Sequence, residues 1–245
     1  MRRSLWVWTG LFVLALGGSA YAWFWFSGGS GEPSTELTTP AVAGQTTTIG
    51  RSGEVTTSSS EGESADIAFV IQSEESEATF TLDEVLRGEP QTVVGATSEV
   101  AGQFILNLDD LSLTQFSDIV VNARTFATGS SNRDRAIRGP IILNSASDDF
   151  EFINFVVREA VGLDGSADIG DTLTFTLLGD LTIRDQTNPV EFDMTAALVD
   201  ETTVEGTATA EVLRSDFGIG IPNVPSVADV TDEVTLQLEF LATSS

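Results

Sequence analysis

The stretch Val190-Glu191-Phe192-Asp193-Met194-Thr195-Ala196-Ala197-Leu198 alternates almost residue by residue, with apolar side chains at the even positions. In a strand, successive side chains point to opposite faces, so this segment has one greasy and one wet face. Thr172-Leu173-Thr174-Phe175-Thr176-Leu177 and Val234-Thr235-Leu236-Gln237-Leu238-Glu239-Phe240 repeat the pattern. Val100, Phe104, Leu106 and Leu108 form another such row, as do Ala78, Phe80 and Leu82. About eight strands of this kind are expected between Ile67 and Leu241. Their wet outer faces have no long amphipathic helices to cover them, which suits an antiparallel sheet. Asp164-Gly165, Gly179-Asp180, Asn188-Pro189 and Asp200-Glu201 carry turn chemistry. The Gly179 to Pro189 block reads as a hairpin, with Thr187 and Asn188 in its turn and Pro189 opening the next strand. Short helical stretches are expected at Leu82 to Arg87 and Asn132 to Gly139. The fold class is all-β, and periodicity alone leaves both a closed barrel and a sandwich open.

Composition narrows the chemistry. The chain has 245 residues, is 41% apolar and carries a formal charge of −26. All 11 basic residues are Arg, and there is no Lys, His or Cys. So acidic a surface repels phosphate, and nucleic acid is not an expected partner. Without Cys there are no disulfides, thiol nucleophiles or zinc–thiolate sites. Without His the commonest general base and metal ligand are missing, and Ser-His-Asp and Cys-His chemistries are excluded. Asp109-Asp110, Asp148-Asp149 and Asp232-Glu233 are adjacent acidic pairs, but no EF-hand spacing accompanies them, and they read as solvated surface. No catalytic residue and no metal site is expected.

Residues 1–26 read as an N-terminal signal anchor. Leu5 to Phe26 is uncharged, and as a helix it spans ~33 Å, enough for a bilayer core. Arg2 and Arg3 precede it and should remain inside, which places the rest of the chain outside the cytoplasmic membrane. All four Trp lie here, Trp6 and Trp8 at one end and Trp23 and Trp25 at the other, as in the aromatic belts of a retained transmembrane helix. Ala20-Tyr21-Ala22 offers the alternative, cleavage after Ala22 and secretion. Residues 27–63, rich in Ser, Thr and Gly and nearly free of large apolar side chains, read as a disordered linker and flexible tether. Residues 64–245 form the β domain.

Several blocks in order resemble the YceI-like family, the lipocalin-like polyisoprenoid-binding proteins of bacteria. They are Glu77-Ala78-Thr79-Phe80, Asp83-Glu84-Val85-Leu86-Arg87-Gly88, Val93-Val94-Gly95, Val100-Ala101-Gly102, Thr128-Gly129 with Arg133-Asp134 and Ile137-Arg138, Gly179 to Val190, and Leu213-Arg214-Ser215-Asp216-Phe217-Gly218-Ile219. The resemblance covers essentially the whole β domain. It implies an eight-stranded antiparallel lipocalin-like barrel with a short helix and an apolar tunnel for an isoprenoid chain. It also implies an extracytoplasmic setting, a homodimer and no enzymatic activity. The sequence departs from the family at Ala136, where a His is frequent, at Ile141, Ile142 and Asn144, and over Ser147 to Glu151, which lack a Tyr-Pro. These departures fall in loops and bear on headgroup recognition rather than on the fold.

Phe80, Phe104, Phe152, Phe155, Phe175, Phe192, Met194 and Phe240 are the candidate tunnel wall; the bland alternative is that they fill a closed core. Arg133, Asp134 and Arg138 are candidates for the polar mouth; the alternative is a structural ion pair fixing a loop. The first functional reading is a membrane-tethered extracytoplasmic binder of a polyisoprenoid lipid such as a quinone or its precursor, with no cofactor. The second is a structural or adhesion barrel with a filled core that presents loops to a protein or glycan.

Overall fold

The computed structural model describes residues 28–42 and 66–244. The anchor expected over 1–26 and the remainder of the expected linker, 43–63, lie outside the described residues. Among the described residues no helix is long and apolar enough to cross a membrane.

Among the described residues one antiparallel sheet of thirteen strands dominates. The strands are β1 (Asp66–Ile71), β2 (Glu77–Leu86), β3 (Glu89–Thr97), β4 (Val100–Ala101), β5 (Gln103–Asn107), β6 (Gln115–Phe116), β7 (Ile119–Asn122), β8 (Phe152–Val161), β9 (Thr172–Ile183), β10 (Gln186–Asp200), β11 (Thr203–Leu213), β12 (Val227–Ala228) and β13 (Glu233–Ser244). The helix α1 (Ser131–Arg138) follows β7, as expected for Asn132 to Gly139.

The sheet closes on itself, which makes it a barrel and not a sandwich. Its backbone path runs β13–β11–β10–β9–β8–β7–β4. Only Gly102 separates β4 from β5; β5 pairs with β1, and β1 returns to β13 through Ile71↔Ala242. The same edge of β13 pairs with β2 nearer its start, through Leu236↔Phe80. Thus β1 and β2 run along one edge, bent at Gln72 to Ser76. That bend is tied down by Gln72 N–H donating to the Leu241 carbonyl at 2.8 Å and by the Ser73 hydroxyl donating to the Val100 carbonyl at 2.7 Å.

The expected count of eight strands is therefore corrected to thirteen. The reason is that several runs are interrupted. β4 and β5 are divided at Gly102, β6 and β7 at Ser117-Asp118, and β1 and β2 at their bend. Segments as short as β4, β6 and β12 are two residues long and show no period in the sequence. Leu82 to Arg87, expected as a short helix, belongs instead to β2 and its turn. Cross-strand pairing with β3 overrides any local helical tendency there. The β2–β3 turn is Arg87-Gly88, both at positive φ (55° and 89°), the two-residue hairpin geometry whose twist matches the strands.

The β9–β10 hairpin also differs from expectation. Its turn is Arg184-Asp185, and Asn188-Pro189 lie inside β10 opposite Leu181 and Asp180. Proline is tolerated because pairing of β10 with β11 begins only at Asp193, so position 189 has no neighbour on that side that needs an N–H. Gly179, expected in a turn, sits within β9 opposite Val190. A Cβ there would meet Phe155 Cζ and the Val156 carbonyl oxygen, each at 2.5 Å. Glycine is required because the Phe155 ring lies across the backbone. Gly179→Ala should therefore destabilise the domain by about 1–3 kcal/mol through overpacking, read as a lower urea midpoint at unchanged m-value.

Residues 28–42, expected within the flexible linker, lie as an irregular strap on the barrel. Arg138 Nε donates to the Gly28 carbonyl at 2.7 Å, Gln103 Nε2 donates to the Pro40 carbonyl at 2.7 Å, and Val42 is buried. Two of these three attachments are hydrogen bonds from barrel side chains to strap carbonyls, and Val42 adds the apolar one. A composition argument based on apolar burial could not anticipate them.

Candidate ligand-binding cavity

Four of the five even positions of the opening stretch, Phe192, Met194, Ala196 and Leu198, line an apolar cavity inside the barrel, and the odd-numbered Ala197 joins them. Glu191, Asp193 and Thr195 are exposed. On β9 the odd positions Leu173, Phe175, Leu177, Leu181 and Ile183 line the same space. Ten residue steps of strand cover ~33 Å, so the cavity follows nearly the whole of β9. Its volume is about 160 Å³. A rounded cavity of ~150 Å³ accepts one benzene molecule. The residues that line this cavity are spread along the barrel instead of around one point. Thr79 and Gln237, cross-strand partners, are the polar residues in its otherwise apolar lining.

Six of the eight expected wall residues line the channel: Phe104, Phe155, Phe175, Phe192, Met194 and Phe240. Phe155 and Phe192 meet edge-on with ring centroids 4.8 Å apart. Phe104 stacks on Phe69 at 5.4 Å and approaches Phe116 at 6.1 Å. Phe152 is not in the lining, because Ile153 and Phe155 set the inward parity of β8. Phe80 is likewise not in the lining; its ring packs edge-on against the lining residue Phe126 at 5.2 Å. The aliphatic share of the wall, including Ile71, Leu106, Leu177, Leu236 and Leu238, is absent from the aromatic-based expectation. The period-two parity of β9 and β13 carried the signal for it.

Arg133, Asp134 and Arg138 do not line the channel, and each is engaged elsewhere. Arg133 Nη2 lies 2.7 Å from Glu84 Oε1, a buried carboxylate on β2. Asp134 accepts from the Thr128 N–H and hydroxyl at 2.8 and 2.6 Å, closing the loop before α1. Arg138 is buried against the strap.

A buried ion-pair network unseen in the sequence seats the strap. Glu151 is fully buried. It accepts from the Ser34 N–H at 2.9 Å, from the Ser34 hydroxyl and from Asn122 Nδ2 at 2.9 Å. Arg124 Nη1 lies 3.3 Å away, while Arg124 Nη2 reaches Asp148 at 2.8 Å and Nε donates to the Ser145 carbonyl at 2.7 Å. Burial alone would raise the Glu151 pKa, but the Ser34 and Asn122 hydrogen bonds and the Arg124 charge outweigh it and hold the carboxyl below its usual range.

The fold and cavity define a class, the closed antiparallel β-barrel with an apolar interior. Residues 69–242 match the model of the YceI-like domain, and the chain belongs to that family. Burkholderia cenocepacia BcnA is similar in structure, with 16% identity and a TM-score of 0.56 over 71% of this chain and 99% of that one. A domain from Saccharophagus degradans, described as polyisoprenoid-binding and implicated in plant cell wall breakdown, superposes with 9% identity and a TM-score of 0.57 over 73% of this chain and 99% of that one. No curated protein matches the sequence.

Removing the Arg124 cation should cost about 3–5 kcal/mol, because Arg124→Ala leaves Glu151 charged and buried; chemical denaturation reads this directly. The pH dependence has a fixed sign. The folded-state pKa of Glu151 is depressed, so its contribution is fully present above the unfolded value of ~4.3 and is lost as pH falls through the lower folded value. The stability gap between wild type and Glu151→Gln should be flat near neutrality and shrink only on the acid side of that range, as followed by urea midpoints against pH.

Proposed function

We propose that this protein binds a polyisoprenoid lipid, burying the chain in the barrel channel and releasing it near the outer face of the cytoplasmic membrane. The observation that carries the reading is the apolar cavity whose lining runs along β9, bounded by six of the expected wall residues. Transfer of apolar carbon from water yields ~0.8 kcal/mol per CH₂, so one five-carbon unit contributes roughly 3 kcal/mol. A few units offset the cost of immobilising the chain without any charged group inside. The family membership and the description of the Saccharophagus degradans domain support the ligand class.

The buried carboxylates favour binding over catalysis. Glu84 is paired with Arg133, and Glu151 is held below the ordinary carboxylate range, opposite to what a general acid requires. The anchor at residues 1–26 would keep the barrel close to the lipid reservoir, with the strap limiting how far the domain strays from the segment before it. Solvent extraction of the purified full-length protein followed by mass spectrometry should release an isoprenoid. Phe192→Arg, which places a charge in the channel wall, should release none. A wild-type preparation that is ligand-free and refuses added isoprenoid would sink the reading in favour of a filled structural barrel.

A further inference from the structure

The two ends of the barrel are unlike. β2, β9 and β11 finish at one of them, and β3, β8, β10 and β13 begin there. The connection from β7 to β8, which carries α1, belongs to the same end: Arg184, in the β9–β10 turn, donates from Nη1 to the Ile142 carbonyl at 3.2 Å. Every described arginine except Arg158 lies at this α1 end. Arg158 sits on the barrel side, at a bulge where the register of β8 with β9 passes from Val157↔Gly179 to Glu159↔Leu178, and it pairs with Asp180. The opposite end carries Asp109, Asp110, Asp164, Asp168, Asp171 and Asp200, with no arginine among the described residues. Carboxylates occur at the α1 end too, but Glu84, Asp148, Glu151 and Asp232 are paired there with arginine. Arg87 and Arg135 are exposed and have no carboxylate partner among the described residues.

The strap fixes where the chain enters. Gly28 is buried at the α1 end; its carbonyl accepts from Arg138 Nε, and a Cβ on it would overlap the Arg135 carbonyl oxygen. Ser34 then meets Glu151 just before β8 begins, and Pro40 meets Gln103. Val42 ends in the wall of a polar pocket between the Leu111 to Phe116 segment and the far half of β8. The strap therefore starts at the α1 end and runs toward the other. The apolar run Leu5 to Phe26 stops two residues before Gly28. Two residues of chain span at most ~7 Å. β9 alone is 12 residues long, so even tilted strands hold the two ends ~30 Å apart. The end held close to the apolar run is thus the α1 end. The opposite end exposes more large apolar side chains, at Leu113, Val161, Ile169 and Val199, but its unrelieved carboxylates are repelled by lipid phosphates.

We propose that the α1 end is the surface this barrel presents to a phospholipid bilayer, with Arg87 and Arg135 at the level of the lipid phosphates and the exposed Ile141 at the interface. This rests on the reading of residues 1–26 as a retained anchor. The chain has no Cys, so Ile141→Cys and Ile169→Cys each provide a single labelling site, at opposite ends and on exposed positions that a label does not unfold. Each full-length variant is labelled with a maleimide fluorophore and reconstituted in phosphatidylcholine vesicles, with and without a lipid that carries a nitroxide on its headgroup. The fluorophore at position 141 should be quenched at least twofold and that at position 169 left unquenched. Quenching at 169 alone, or equal quenching or none at both sites, overturns the orientation. Inserting twelve Gly and Ser residues between Phe26 and Ser27 should keep the protein on the vesicles and release the quenching at 141; undiminished quenching overturns the short span as its cause. A protein that does not float with the vesicles overturns the anchor and, with it, the orientation, but not the channel.

Discussion

The hydrogen-bond ring through β13 is the constraint on which the other features depend. β13 pairs with β11 along its whole length on one edge. Its other edge is divided between β2 and β1. Because β1 continues through β5 and β4 to β7, the ring closes, through the two-residue pairing Val100↔Val121 and Ala101↔Val120, and its inward side chains face one another. A closed ring also gives the inner face a length, set by strands such as β9. The channel inherits that length.

Closure demands bends, and the bends shape the site. The sheet turns corners at Gln72 to Ser76, at Gly102 and at the Arg158 bulge. Glycines permit the closest approaches. Gly179 lets the Phe155 ring cross β9, and Gly206 does the same for Phe240, whose Cζ would lie 2.6 Å from an added Cβ. Both rings belong to the channel wall. The fit of the wall therefore depends on residues that have no side chain.

A second layer of order is polar. Arg124, Glu151 and Asn122 form a buried cluster outside the channel, and the exposed Ser34 of the strap hydrogen-bonds to it, which brings the strap onto the barrel. Such a cluster adds little net stability over a well-packed apolar one, but it is intolerant of losing any single member. Val42, at the far end of the described strap, is buried at the rim of the polar pocket. Strap docking and the pocket rim are thus parts of one surface.

The alternation in Val190 to Leu198 by itself determined that this segment is a strand and which of its side chains share a face, because side-chain direction in an extended chain has a strict period of two. The same rule correctly assigned Phe104, Phe175 and Phe240 to an inner wall. Applied to β8 it also excludes Phe152, which shares no face with Phe155, whereas the Asn188-Pro189 turn was read from local turn chemistry and is overruled by pairing of β10 with β9. Strand count, closure and the channel belong to tertiary structure, since each depends on which distant segments pair. So does the role of Arg133, Asp134 and Arg138. A charged side chain takes the nearest complementary group in space; Glu84 and Gly28, 49 and 110 residues from their partners, become near only in the folded domain, whereas Thr128 is a local partner six residues from Asp134.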